Sequence, residues 1–262
     1  MIYVVTALVC FGSSIIGTIC GIGGGIIIKP VLDALGILDV PVLNFLSGCT
    51  VLSMTTYSVV ATKIKGGSHI EKKTGFLLAL GSVLGGLAGR ELFSRMLSFY
   101  ENEMKTGAFQ AECLLIITLG TLIYTKNKSR IRTFKIKNGL ACVIIGALLG
   151  LMSSFLGIGG GPINLVILSF FFSMQIKTAA ENSLYIIFFS QASNLIYSMI
   201  MNNIPEFAWG MLILMTMGGL TGGIFGRMLN KKLEEKTVNN LFVFLLILII
   251  FINIYNIHKF LT

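Results

Sequence analysis

The sequence predicts an all-α polytopic membrane protein of two inverted repeats, each a broken-helix hairpin plus three transmembrane helices. Three observations predict it. Apolar runs near twenty residues recur along a chain that is 55% hydrophobic and only 12% charged, the signature of many membrane spans. The run Gly21-Ile22-Gly23-Gly24-Gly25 returns as Gly157-Ile158-Gly159-Gly160-Gly161, 136 positions later in a chain of 262. Basic residues collect in a few short gaps between the apolar runs.

The elements follow in order. A first segment, Ile2 to Cys20, ends at the Gly21–Gly25 break. A short apolar piece, Ile26 to Leu38, carries Lys29-Pro30 and, at about 1.5 Å per residue, is too short to cross comfortably. Segments at 42–62, 74–93 and 108–124 complete the first half. The pattern then restarts with 139–156, the second break, a short piece from Pro162 to Phe172, and segments at 180–201, 207–229 and 238–257. The expected division is a first repeat over 1–125, a basic cytoplasmic linker over 126–137 and a second repeat over 138–262.

A second repeated feature supports the duplication. Gly81-Ser82-Val83-Leu84-Gly85-Gly86-Leu87-Ala88-Gly89-Arg90 matches Gly218-Gly219-Leu220-Thr221-Gly222-Gly223-Ile224-Phe225-Gly226-Arg227. Glycines four apart share one helix face and admit a neighbouring backbone. The terminal Arg90 and Arg227 suit snorkelling or salt bridges at opposite membrane surfaces.

Charge sets the orientation. The gaps at 63–73, 126–137 and 230–237 are basic and should be cytoplasmic, whereas those near Asp39, 94–107 and 202–206 are acidic or mixed and should face outward. This holds if each break separates two antiparallel arms, giving five segments per half. An odd number makes the second half enter from the opposite side, so the repeats are inverted and both termini lie outside. Counting only the eight long segments gives parallel repeats instead, with the short pieces peripheral.

The formal charge of +9 is explained by these gaps, so nucleic acid is not an expected partner. The five cysteines form no CxxC pair and read as packing thiols. No Walker loop, acidic metal cage or Ser/His/Asp set is present, and histidine is absent from the middle of every span. No enzyme chemistry, cofactor or metal is expected.

The breaks are where chemistry belongs. Non-helical backbone at membrane depth is tolerated where it lines a cavity. Gly23, Gly24 and Gly25, and likewise Gly159, Gly160 and Gly161, should present free N–H groups at the start of the following helix, a setting that favours an anion. Pro162 fits a helix start because it needs no amide partner there; a tight buried turn is the bland alternative. Lys29 could supply positive charge or snorkel to the headgroups. Ser47, Cys49 and Thr50 are expected to face Glu181, Asn182 and Ser183, with Ser47 and Ser183 at equivalent positions. Asn164 joins the substrate candidates, and Gln191 and Asn194 lie deeper in the same segment. Glu181 is a candidate proton relay. Each of these polar groups could instead satisfy helix–helix contacts.

The motif Gly21-Ile22-Gly23-Gly24-Gly25 followed by Pro30-Val31-Leu32, with its second copy at Gly157–Gly161, resembles the signature of the TauE/SafE family of sulfite and organosulfonate transporters. The resemblance covers essentially the whole chain. It implies a cell-membrane permease for a small sulfur oxyanion or sulfonate, commonly an exporter, with the glycine loops and adjoining polar residues as the anion path and a proton as candidate coupling ion. The second copy departs by placing Pro162 directly after the glycines and lacking a match to Pro30, which implies asymmetric substrate contacts.

Overall fold

A computed structural model describes residues 2–64, 72–100 and 102–262. The parts of the expected basic gap at 65–71, with Lys65, His69 and Glu71, and Glu101 of the mixed gap lie outside the described residues. The described residues form ten α-helices and no strand: α1 Ile2–Cys20, α2 Gly25–Leu35, α3 Val40–Ile64, α4 Lys72–Tyr100, α5 Glu103–Asn127, α6 Gly139–Leu156, α7 Gly161–Phe172, α8 Ile176–Ile200, α9 Trp209–Lys232 and α10 Glu235–Leu261. Eight of them are long and apolar enough to cross a membrane. The exceptions, α2 and α7, have 11 and 12 residues, or about 16–18 Å against a hydrocarbon core of about 30 Å.

Local chemistry explains where the helices begin and end. Asn102 and Asn138 accept hydrogen bonds from the amides of Met104 and Leu140 and start α5 and α6. Helix α2 stops at Leu35, earlier than the expected Leu38, because Gly36 turns left-handed at φ 63° and its amide closes on the carbonyls of Leu32 and Asp33. The span expected from 108 begins at Glu103 because the Asn102 cap precedes it.

Glycine stripes set the packing. An ideal Cβ on Gly81, Gly85 or Gly89 would lie within 2.3 Å of the carbonyl oxygens of Val143, Ala147 and Leu151 on α6. Gly222 and Gly226 meet the carbonyls of Phe11 and Ile15 on α1 in the same way. In both cases the partners rise together along the chain, so α4 runs parallel to α6, and α9 to α1. Gly48 lies against Gln191 and Asn194 while Val51 and Ile187 both pack on Gly23, so α3 and α8 are antiparallel. Gly107 meets Phe260, and Tyr124 shares a cavity wall with Asn239, which makes α5 and α10 antiparallel as well.

Both arginines that end the stripes turn inward. Arg90 is buried, donates to the carbonyl of Asn203 and lies 5.4 Å from the centre of the Phe93 ring. Arg227 donates to the carbonyl of Ser58 and the hydroxyl of Thr62. Arg90 does not snorkel, because its side chain is buried and bonded to a backbone carbonyl of the other half. The segment 131–137 is docked: the amides of Phe134 and Ile136 donate to the carbonyls of Phe170 and Phe171, at the end of α7.

Candidate functional site

The two glycine breaks meet inside the bundle. Every residue of 21–25 and 157–161 is buried. A Cβ on Gly25 would lie 2.5 Å from the carbonyl oxygen of Ile158, and one on Gly23 would lie 3.5 Å from that of Gly159. Val51 and Ile187 flank the junction, each within one residue of the midpoint of α3 or α8. The breaks therefore touch about halfway along the two central helices.

Their backbone repeats as their sequence does. Gly21 and Gly157 are left-handed at φ 73° and 66°, and Gly23 and Gly159 at 78° and 75°. Gly24 returns to the right-handed region at φ −67°. Alternation of hands turns successive amides toward one side, the geometry of an anion-binding nest. Among the described residues, the amides of Gly23, Gly24, Gly159 and Gly160 donate to no backbone carbonyl. The match ends at Gly160 and Gly161, which stay left-handed at φ 102° and 56°, whereas Gly24 and Gly25 do not. Pro162 enters immediately afterwards at the helix start.

Side chains near the junction divide into those already bonded and those with capacity to spare. Ser47 donates to the carbonyl of Gly157 at 2.8 Å, and Thr50 to Leu46 within its own helix at 2.8 Å. Cys49 is half-buried. Asn164, wholly buried beside Gly160, has no partner for either amide atom, and Ser183 has none for its hydroxyl. Asn182 donates to Thr178 at 2.8 Å. Lys29 points to the α5–α10 side, where it pairs with Asp33 at 2.9 Å and borders Gln110, Leu114 and Asn253. It is buried, so it does not snorkel.

The two polar groups expected to face each other do not. Because α3 and α8 are antiparallel, equivalent positions fall at opposite ends of the contact. Ser47 reaches the second break, whereas Ala180 on α8 packs against Gly21 of the first. Asn44, the position matching Ala180, covers Gly157. Each half closes the break of the other.

Several polar residues at the junction carried little sequence signal. Ser14 lies against Gly24 and has a buried hydroxyl without a partner, as does Thr18. Ser153 accepts from Gln191, itself a sequence candidate, and Ser154 shares a hydrogen bond with Ser190. Single hydroxyls inside apolar runs look like ordinary packing; a place within ten residues of a break could have marked Ser14, Thr18, Ser153 and Ser154, and nothing marks Ser190. Asp33 lies four residues after Lys29 within the short piece 26–38, and that spacing, which suits an ion pair on one helix face, was its signal.

This arrangement can offer a small anion amide donors, hydroxyls and a carboxamide in a site shielded from lipid. Among the described residues no group of three or more His, Cys, Asp or Glu could hold a metal.

The family described as "Sulfite exporter TauE/SafE" matches residues 6–252. The chain is also 25% identical over 271 residues to a protein of Bacillus subtilis (strain 168) named "Probable membrane transporter protein YunE", covering 95% of this chain and 96% of that one. No solved structure matches.

Proposed function

This chain belongs to the sulfite exporter TauE/SafE family of membrane transporters, and from that premise we propose that it exports a small sulfur-containing anion, such as sulfite or an organosulfonate, by secondary transport. The observation that carries the reading is the junction of the two breaks. Unbonded glycine amides from both halves lie beside Asn164 and Ser14, whose buried polar atoms have no partner. A buried donor left unbonded costs roughly 1–3 kcal/mol, and a bound oxyanion would remove that cost.

In this reading the two halves, 1–125 and 138–262, are inverted copies that rock around the junction, as in other transporters with broken helices at the midplane. The antiparallel pairing of α3 with α8 and of α5 with α10 supports it. The substrate contacts are Gly23, Gly24, Gly25, Gly159, Gly160 and Gly161, with Asn164, Ser183, Asn182, Cys49 and Thr50 along the path. Ser47 holds the second break in shape. Lys29 acts through Asp33, and a proton is the candidate coupling ion. The basic gaps lie in the cytoplasm and both termini lie outside the cell.

The test is uptake into proteoliposomes of purified full-length protein across a panel of sulfite, organosulfonates, sulfate and thiosulfate, under imposed proton and anion gradients. Sulfite or a sulfonate should move fastest. Failure of every sulfur anion under every gradient would sink the proposal.

A further inference from the structure

A cleft on the face carrying the basic gaps leads to the first break. It is lined by Thr18 of α1, by Lys177, Ala180, Glu181 and Leu184 of α8, and by Arg227, Asn230 and Lys231 of α9. Three cations against one carboxylate give the wall a net charge of +2. Its volume of about 40 Å³ compares with the roughly 10–15 Å³ needed for one water, so it has room for three waters or one oxyanion of a few heavy atoms.

The wall combines fixed and spare groups. Lys177 is tethered to the carbonyl of Leu233 at 2.7 Å and Asn230 to that of Ile19 at 2.6 Å, while Arg227 is held by α3. Lys231 projects into solvent. At the floor, the hydroxyl of Thr18 is buried and unpartnered. Thr18 and Ala180 both touch Gly21: the Gly21 amide donates to the Thr18 carbonyl, and a Cβ on Gly21 would overlap Ala180.

The equivalent positions 136 or 137 residues away are closed. Ser154, matching Thr18, is bonded to Ser190; Asn44, matching Ala180, lies directly on Gly157; and Arg90, matching Arg227, is buried. The cleft beside the first break is open and basic, and its counterpart in the other half is filled.

We propose that this cleft is a loading site that captures a small oxyanion on the basic face and hands it to the first break. Lys177, Arg227 and Lys231 draw the anion in, and Thr18 replaces part of its water shell. The proposal rests on the transport reading above and adds residues and a side to it. A cationic cleft raises the local concentration of an anion, so its effect belongs to half-saturation from one face.

The experiment uses sulfite and the full-length protein, with oriented phosphatidylcholine proteoliposomes for transport and thermal stabilisation of the detergent-purified protein for binding. Lys231→Gln should raise half-saturation about two- to fivefold when sulfite is offered on the basic face. The combined Lys177→Gln/Lys231→Gln variant should raise it about tenfold, and Lys231→Arg should restore it. The saturated rate and half-saturation from the opposite face should stay unchanged, and sulfite should stabilise the Gln variants less than the parent. Wild-type transport with unaltered half-saturation in both variants overturns the cleft but leaves the transport reading intact. Stabilisation that weakens in the variants, with no transport, supports the cleft and overturns the transport reading; neither stabilisation nor transport overturns both. An effect seen only after phosphatidylglycerol is added assigns the cleft to a headgroup phosphate and overturns the proposal.

Discussion

Asn164 and Ser47 are both wholly buried beside the second break, yet they should respond differently to truncation. Ser47 is bonded to the carbonyl of Gly157. Ser47→Ala should cost about 1–3 kcal/mol by leaving that acceptor unpaired, seen as a lower unfolding midpoint. Asn164 is bonded to nothing, so Asn164→Ala should leave the midpoint nearly unchanged while raising half-saturation for the transported anion about tenfold, the size of one hydrogen bond to a charged group. Equal effects of both variants on stability and transport would contradict this division. Leucine at Gly24 or Gly160 should abolish transport, because Ser14 and Asn164 already occupy the space; retained uptake would remove the breaks from the path. The glycines were legible in the sequence, since two copies at one offset need a common cause. Which neighbouring hydroxyl or amide is spare depends on the partner helix, and no single sequence carries that.

Helix α2 carries buried ionic support. Lys29 and Asp33 pair within it, Lys259 donates to the carbonyls of Asp33 and Ala34 at its end, and Asn256 donates to that of Pro30. Asp33→Ala strands Lys29 in the interior and should cost about 3–5 kcal/mol, whereas Lys29→Met/Asp33→Leu should be near neutral. Thermal unfolding of the two variants separates them. The glycine-stripe helices give a second test: Gly85→Ala forces a Cβ to within 1.9 Å of the Ala147 carbonyl oxygen, while Gly120→Ala meets nothing within 4 Å. The first should lower the unfolding midpoint and the second should not. Element order was readable because long apolar runs and their glycines report helices directly; α6 spans Gly139–Leu156 as expected. Element ends were less readable, since the Asn102 cap and the Gly36 turn act through single residues. The facing of Ser47 and Ser183 is not legible in the sequence, because an offset within the chain does not say which ends of two helices meet.

For the whole molecule, the basic gaps predict one orientation. A cysteine replacing Asn202 should react with an impermeant maleimide on intact cells, and one replacing Glu234 only after permeabilisation. The reverse pattern would invert the assignment. The bundle is joined across the halves, with α4 on α6, α9 on α1, and each break covered from the other half.

That crossed covering has a consequence for how the protein is made. The first break is finished only when Ala180 and Ile187 arrive, after more than two-thirds of the chain has left the ribosome. Until then Gly23 and Gly24, whose amides donate to no backbone carbonyl, lie uncovered in or near lipid, a state the bilayer penalises. The nascent first half must therefore wait, shielded by the insertion machinery or held near the surface, until α8 is delivered. A chain stopped at residue 175 should remain protease-sensitive at its first break and be cleared by quality control, while one stopped just after α8 should protect it.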